Sequence, residues 1–472
     1  MTRGKEVDVK KLNIKKLSIG ILCVIIYVIL TNAPSPEGLT IEGQKSLALM
    51  AIAVIAWVFE VIPIGIAACL FVMLMPVLGI VPMATAMSNF MIPTVLFIMS
   101  TFIIACAFID TGLGTRVSLY VSTLFGNKAD RVLLSYMLPV TLISTVLLDI
   151  PTALIFGSIA YTLLQKNNCV PGKSNFGKAL MVGIPTAAAI GGIGTPAGSG
   201  LNVLAMSLLE SSAGVSLNFL QWTMIGFPMS VLLTLIAWFI IKTLIPAEFE
   251  YVQGLEDVKK ELKDLGSLSS QEKKFLGIFL IELTLWLTEP IHHINSAVVA
   301  IVAASLFFAP GIELVTWDRA KGMVNWELLL LVGGSNSLAQ AIAATGSSVW
   351  LANTVLGGLA GQGLFVLILA VAAFGVFSHL LVPVGSAVLV VAIPVVSILA
   401  QQVGIHPGLL ALPIAFTASD VMIMPLDPIP LTTYSHGYWK MGDMIKPGFF
   451  ISLVWIVLCV IFMYAAQAIG IV

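Results

Sequence analysis

The sequence predicts an all-α protein that crosses a membrane many times and is built from two related halves. Of its 472 residues, 58% are hydrophobic and 10% are charged, whereas soluble domains carry about 25% charged residues. Two apolar stretches, 130 to 165 and 364 to 402, are each about twice the length that one crossing needs. Short motifs also recur in the same order along the two halves. We therefore expect a polytopic protein with about eleven transmembrane helices and two opposed re-entrant helical hairpins.

A spanning helix needs about 20 apolar residues. The first apolar run follows a basic leader and has no small-residue cleavage site after it, so we expect segment 1 to 42 to keep its span as an anchor. The predicted spans are 17 to 33, 43 to 60, 62 to 81, 90 to 111, 178 to 209, 218 to 244, 274 to 290, 293 to 309, 324 to 346, 406 to 434 and 446 to 470.

The charged loops predict the orientation of these spans. If both long stretches are hairpins that enter and leave on one side, the Lys-containing segment 166 to 178, the Lys- and Glu-rich segment 247 to 274 and the segment 436 to 446 fall on the side of the basic N-terminus. Loops rich in Lys and Arg stay in the cytoplasm. We therefore expect a protein of the cytoplasmic membrane with its N-terminus inside and its C-terminus outside. The first hairpin then opens to the cytoplasm and the second to the outside.

Three ordered matches relate the two halves of the chain. The motif WVFE at 57 to 60 matches WLTE at 286 to 289, Thr111-Gly112 matches Thr345-Gly346, and DIPTALI at 149 to 155 matches PVGSAVL at 383 to 389. The matches lie at nearly constant offsets of 229, 234 and 234 residues. Because five crossings separate equivalent elements, we expect the second copy to be inverted in the membrane.

The repeat predicts the organisation of the chain. The expected first repeat covers 43 to 244, with the hairpin 130 to 165 and the broken helix 178 to 209. A charged cytoplasmic linker, 245 to 273, joins it to the second repeat. The second repeat covers 274 to 472, with the hairpin 364 to 402 and the broken helix 406 to 434.

Four helix-breaking segments interrupt these apolar stretches. Two are the expected hairpin tips, 149 to 155 and 383 to 389; the others are GGIGTPAGSGLN at 191 to 202 and MPLDPIP at 424 to 430. Lipid cannot satisfy free backbone N–H and C=O groups, so irregular backbone occurs at membrane depth only where it is buried in protein or lines a cavity. Inverted repeats with broken helices build midplane sites in carriers. The four interruptions therefore predict one shared binding site.

The WxxE motif, the paired tips and the GxGTP interruption (Gly192, Gly194, Thr195 and Pro196) with its degenerate partner at 424 to 430 resemble the divalent anion/sodium symporter family over nearly the whole chain. The resemblance implies a secondary transporter of dicarboxylates rather than an enzyme, without a cofactor. It also implies a homodimer in which a transport domain slides past a fixed scaffold domain, as in an elevator. In that family each tip carries a Ser-Asn-Thr motif, and two sodium ions lie between the tips and the adjacent helix breaks.

The tips of this chain depart from the family motif. Aligned through the repeat, they read Ile150-Pro151-Thr152 and Val384-Gly385-Ser386, so only the last hydroxyl remains in each. By analogy with other hard cations, a sodium site needs about five or six oxygen ligands. The missing Ser and Asn oxygens therefore favour a sodium-independent exchanger over a sodium symporter. A sodium- or proton-coupled dicarboxylate symporter is the alternative.

A dicarboxylate in the membrane interior needs charge compensation. The interruptions contain no Lys or Arg, so we expect helix N-termini to hold the anion. Thr152 and Ser386 are the expected substrate hydroxyls, although each could instead bond back to a carbonyl one turn earlier. The glycines of the interruption at 191 to 202 could also serve close helix packing. The expected substrate-binding residues are Pro151, Thr152, Gly194, Thr195, Pro196, Gly385, Ser386 and Pro428.

Three ionisable residues beside the interruptions are candidates for ion coupling. They are Asp149, His379 and Asp427, and an ionisable residue inside a membrane is a functional hypothesis by default. For Asp427, a structural hydrogen bond is the alternative. The five cysteines lack metal-ligand spacing and are interpreted as small buried hydrophobes, so no metal site is expected.

Other function classes fit the sequence less well. An intramembrane enzyme would need a motif such as HExxH or GxSxG, and neither occurs. A channel would need a continuous polar pore, whereas opposed hairpins build an occluded site. The net charge of −1 leaves no basic surface for nucleic acid. Another carrier of the same inverted-hairpin superfamily, exporting a drug, a metal oxyanion or a proton, remains a competing prediction.

Overall fold

The computed structural model describes residues 2–356, 358, 361–380, 382, 384–420, 422–425 and 427–472. Its named elements within these ranges are all helical. Pro383, the first residue of the second predicted tip motif, and Leu426, in the second predicted helix break, lie outside the described residues.

Within the described residues, the first half has eleven α-helices. They are α1 (Thr2–Asn32), α2 (Ile41–Val58), α3 (Ile64–Val77), α4 (Met83–Phe90), α5 (Pro93–Asp110), α6 (Leu113–Ser122), α7 (Ala129–Ser144), α8 (Asp149–Lys166), α9 (Asn175–Gly192), α10 (Gly200–Ala213) and α11 (Phe219–Leu244). A short 3₁₀ turn, Pro196–Gly198, lies between α9 and α10.

The predicted linker contains the short helix α12 (Leu255–Asp264), and the second half follows it. Its helices are α13 (Ser270–Leu287), α14 (Glu289–His292), α15 (Ser296–Leu306), α16 (Trp317–Met323), α17 (Trp326–Ala344), α18 (Ser347–Leu351), α19 (Leu364–Ser378), α20 (Gly385–Gln402), α21 (Gly408–Thr417), α22 (Pro428–Tyr434) and α23 (Met441–Ala468). A π-helical turn, Ala352–Leu356, follows α18.

Seven helical segments of the described chain are long and apolar enough to cross a membrane. They are Ile14–Asn32, Ile41–Val58, Met83–Asp110, Phe219–Leu244, Trp326–Ala344, Gly385–Gln402 and Met441–Ala468. The predicted spans 62 to 81 and 293 to 309 contain the shorter apolar helices Ile64–Val77 and Ser296–Leu306. The polytopic class is confirmed, whereas the number of about eleven crossings stays a prediction.

Both double-length stretches contain two helices separated by a turn. In the first, α7 and α8 are separated by 145–148, so the turn precedes the predicted tip at 149 to 155. The predicted position of the first tip was wrong by a few residues. Pro151 lies in the first turn of α8, because a missing backbone N–H costs no helical hydrogen bond there. In the second stretch, 379–384 separates α19 from α20, which starts at Gly385.

The two predicted broken helices are interrupted, with shifted boundaries. In the first, α9 continues through Gly192 and α10 begins at Gly200, so the break covers 193–199 rather than 191 to 202. In the second, the break runs from 418 to 427, because α21 ends at Thr417 and Pro428 already belongs to α22. Sequence inspection placed this break at 424 to 430. It therefore missed the buried residues Ser419 and Asp420 at its start.

Equivalent elements of the two halves have equivalent boundaries. The matched pairs Thr111-Gly112 and Thr345-Gly346 each follow the end of a long helix, and their glycines have φ values of 81° and 71°. This left-handed conformation suits glycine, which lacks a Cβ. The short helices α4 and α16 start at Met83 and Trp317, again 234 residues apart. The repeat therefore extends to local structure, while its inversion in the membrane stays a prediction.

Candidate functional site

The first hairpin turn and the first helix break are in direct contact. The Thr195 hydroxyl donates a hydrogen bond to the Thr145 carbonyl, which lies in the turn. A Cβ built on Gly194 would lie 2.4 Å from Thr145 Cγ2, and one on Gly192 would lie 3.2 Å from Asp149 Oδ2. These glycines allow the two interruptions to approach each other more closely than larger residues would permit.

The second hairpin turn meets the second helix break in a similar way. A Cβ built on Gly385, the first residue of α20, would lie 2.6 Å from the Ala418 carbonyl oxygen. It would also lie 3.0 Å from Leu201 Cδ1, in the first turn of α10. The second turn, the second break and the start of α10 therefore pack at one place, while a binding site shared by all four interruptions stays a prediction.

Polar side chains that sequence inspection missed hold the first break. Asn202 Nδ2 donates to the carbonyls of Gly192 at 2.7 Å and Thr195 at 2.8 Å. Trp222 Nε1, from α11, donates to the Ile193 carbonyl at 2.9 Å. Both side chains are fully buried, and they satisfy carbonyls for which lipid offers no donor. An asparagine at the end of a glycine-rich interruption was the signal that could have identified Asn202.

The two predicted substrate hydroxyls have different surroundings. Thr152 Oγ1 donates to the carbonyls of Leu147 at 2.8 Å and Leu148 at 3.0 Å, which is the back-bonding alternative. The Thr152 hydroxyl proton is therefore already bonded to backbone carbonyls at the start of α8. Ser386 is buried in the first turn of α20 and makes no side-chain hydrogen bond to another residue in the described part of the chain. The two hydroxyls are not equivalent in this structure.

Two of the predicted coupling acids lie close together. Asp149 Oδ1 accepts a hydrogen bond from the Ile150 N–H at 2.8 Å, and Asp427 Oδ1 accepts one from the Ile429 N–H at 3.0 Å. The negative charge of Asp427 acts on Asp149, and Ser199 contributes a hydroxyl beside Asp149. Each acid occupies the N-terminus of its own helix, α8 or α22. The expectation that the start of α8 is free for a substrate anion therefore does not hold here.

The remaining helix starts are better placed for an anion. Within the described residues, no side chain caps α10 at Ser199 or α20 at Val384. The first turns of these helices contact each other through Leu201 and Gly385. Uncapped N–H groups at a helix N-terminus attract negative charge. The starts of α10 and α20 are therefore two neighbouring uncapped N-termini, with the Asp149 carboxylate beside Ser199 at the start of α10.

The other predicted site residues are distributed around this position. Gly194, Thr195 and Pro196 are buried in the first break, whereas Pro428 is exposed at the start of α22. His379, buried at the end of α19, lies beside the Thr417 carbonyl rather than with the Asp149 and Asp427 pair.

Paired helix interruptions that pack together inside a polytopic helical protein define a membrane transporter of the broken-helix class. The family model described as "Sodium:sulfate symporter transmembrane region" matches residues 14–470. The chain therefore belongs to this family, the divalent anion/sodium symporter family. It is a transporter and not an enzyme.

Two relatives show how far the similarity extends. The sodium-dependent dicarboxylate transporter SdcS of Staphylococcus saprophyticus is 26% identical over 480 residues, covering 96% of this chain and 92% of that protein. A protein of Cupriavidus necator described only as a membrane protein is 25% identical over 422 residues, covering 84% of this chain and 81% of its own length.

Two solved transporters share the fold at low sequence identity. MtrF of Neisseria gonorrhoeae, described as an antimetabolite efflux pump, aligns with a TM-score of 0.53 and 13% identity, over 95% of this chain and 94% of its own. YdaH of Alcanivorax borkumensis aligns with a TM-score of 0.52 and 15% identity, over 79% of this chain and 86% of its own. At these identities the likeness concerns the fold alone.

Proposed function

We propose that this protein transports C4-type di- and tricarboxylates across the cytoplasmic membrane as an exchanger that does not require sodium. The observation that carries the proposal is the contact between the uncapped starts of α10 and α20, at Leu201 and Gly385. Two helix N-termini that lie close together would provide partial positive charge for two carboxylates without a Lys or Arg. Ser386 adds a hydroxyl donor at the same place.

Exchange follows from the charge of this site. An empty site keeps the positive ends of two helices unneutralised, which opposes movement of the transport domain past apolar surfaces. A bound anion offsets that charge, so the loaded domain crosses. Return then requires a second anion from the opposite side. We propose that this movement is elevator-like and occurs in a homodimer with its N-terminus in the cytoplasm and its C-terminus outside, as the family resemblance implies.

The relatives support the substrate class and define the alternative. The Staphylococcus saprophyticus relative is named a sodium-dependent dicarboxylate transporter, which supports dicarboxylates here and makes sodium symport the main alternative. Proton-coupled symport is the other alternative. It is favoured by the electrostatic interaction between Asp149 and Asp427, because a negative charge near a carboxylate favours the binding of a proton.

The proposal predicts that succinate stabilises the purified protein without sodium. A ligand at about 100 times its dissociation constant stabilises the folded state by about 2.7 kcal/mol. We expect succinate to raise the melting temperature equally in choline and in sodium chloride, and butyrate, which has one carboxylate, to have little effect. The measurement is a thermal-unfolding series in detergent. A shift by succinate that occurs only with sodium would instead favour the symporter.

A further inference from the structure

The start of the second helix break contains a carboxylate without a partner. Asp420 is 1% exposed, and neither of its carboxylate oxygens has a hydrogen-bond partner among the described residues. Its neighbour Ser419 is 3% exposed, and the Ser419 hydroxyl is also unpartnered within the described chain. Asp149 and Asp427 each accept a backbone hydrogen bond, whereas the Met422 N–H lies beside the Asp420 carboxylate without reaching hydrogen-bond geometry. Asp420 is thus a buried acid without a hydrogen-bond partner among the described residues.

One face of α23 presents polar groups to this acid. The Ser452 hydroxyl lies next to the Asp420 carboxylate without reaching hydrogen-bond geometry, and Cys459 lies close to the same carboxylate. Trp455 occupies the same helical face between them, and its indole N–H has no partner in the described part of the protein. All three side chains are fully buried. Asp420 therefore has the Ser452 hydroxyl and the Met422 N–H near it.

No cationic side chain in the adjacent helices is placed to neutralise Asp420. On α23 the titratable neighbour is Cys459, whereas Lys446, near the start of this helix, is exposed. His379 lies at Thr417, just before the break. In α19, α20 and α21 there is no Asp, Glu, Lys or Arg, and α11 has only Lys242, in its last turn. The acid at the other end of the break is Asp427. The local charge is therefore negative, not positive.

An unpaired carboxylate anion is very costly in a low-dielectric interior. The neutral acid avoids that cost and can donate one hydrogen bond of its own. Asp420 is also connected to the moving parts of the proposed transport cycle. Two residues before it, the Ala418 carbonyl contacts Gly385 of the second turn, and two residues after it, Met422 packs against Gly448 of α23. The protonation of Asp420 can thus affect the second hairpin turn.

We propose that Asp420 is a proton-binding site whose occupation is required for the loaded transport domain to cross the membrane. The proton binds the carboxylate from the aqueous phase on one side and leaves it on the other, and no covalent bond of the substrate changes. The proposal rests on the proposed function as a transporter. It does not depend on whether transport occurs by exchange or by symport, because a proton can accompany the anion in each case.

The test compares the pH dependence of transport in the wild type and in Asp420→Asn. Proteoliposomes with equal internal and external pH are assayed for labelled succinate exchange from about pH 7 to about pH 9, where both substrate carboxyls are ionised. We expect the wild-type rate to fall as pH rises, because the protonated form becomes scarce. Asp420→Asn, which resembles the neutral acid, should transport at a rate that does not change over this range.

Glu282→Gln is the matched control, because Glu282 is another buried acid with unpartnered oxygens among the described residues but lies in α13, away from the breaks. It should keep the wild-type pH profile. A wild-type rate that does not change with pH would overturn the proposal whether or not any variant folds. A wild-type profile retained in Asp420→Asn would also overturn it. If transport proves to require sodium, the same pH profiles are recorded with sodium present. Failure of the sodium-independent exchange proposal is then distinguished from failure of the Asp420 proposal.

Discussion

Replacing Gly191 by alanine is expected to abolish transport and to lower the melting temperature of the protein. A Cβ at this position would lie 2.4 Å from the Thr141 carbonyl oxygen and 2.8 Å from Ser144 Cβ, both on α7. Because one of the nearest atoms belongs to backbone, α7 and α9 would have to separate. Overpacking of this kind costs typically about 1–3 kcal/mol and sometimes more. The displacement would also move the first hairpin turn away from the first helix break.

The control for this substitution is Gly277→Ala. Gly277 lies on the exposed side of α13, and a Cβ there would meet no atom within 4 Å. Alanine in a helix interior is about 0.5–1 kcal/mol more favourable than glycine, so this variant should be as stable as the wild type or slightly more so. The readouts are the melting temperature in detergent and labelled succinate uptake. Wild-type stability and uptake in Gly191→Ala would show that α7 and α9 are not packed as described.

The two tip hydroxyls should respond differently to removal. Ser386→Ala should weaken succinate binding by about 10- to 150-fold, because a hydrogen bond to a charged group contributes about 1.5–3 kcal/mol. Its melting temperature without substrate should not change. Thr152→Ala should instead lower the melting temperature, because the Leu147 carbonyl loses the hydroxyl donor and the Leu148 carbonyl keeps only the Thr152 N–H. Thr152→Ser should restore the melting temperature.

Ser397→Ala is the matched control for Ser386. Ser397 is a fully buried serine on the same helix, about three turns further from the second hairpin turn. Its replacement should leave succinate affinity unchanged. Equal affinity in Ser386→Ala and the wild type would mean that the start of α20 does not bind the substrate.

The sequence predicted the parts of the fold that follow from composition and from the repeat. Long apolar stretches with proline, glycine and polar residues at their centres identified both pairs of shorter helices and both broken helices, whereas their re-entrant insertion stays a prediction. The exact boundaries could not be predicted, because helix propensity does not distinguish a proline in the first turn of a helix from one in a turn. Pro151 and Pro428 both lie in the first turn of a helix, so the predicted tip and break were shifted.

The candidate site was predicted at the level of segments rather than contacts. Thr152 was identified from the motif, but its bonds to Leu147 and Leu148 depend on the turn that precedes α8. Asp420 was missed because it lies before the proline-rich part of the second break, within an otherwise apolar run. Its burial and its unpartnered oxygens arise from packing against α23, which is remote in sequence and carries no motif.

Sodium-independent exchange is tested most directly by uptake of labelled succinate into proteoliposomes with sodium replaced by choline. One set of vesicles contains unlabelled succinate and the other contains none. If the helix starts at Gly200 and Gly385 neutralise the anion without a cation, uptake should be rapid into loaded vesicles, low in empty ones and unchanged by adding sodium. Strong stimulation by sodium of uptake into empty vesicles would contradict the exchange proposal and indicate a sodium symporter.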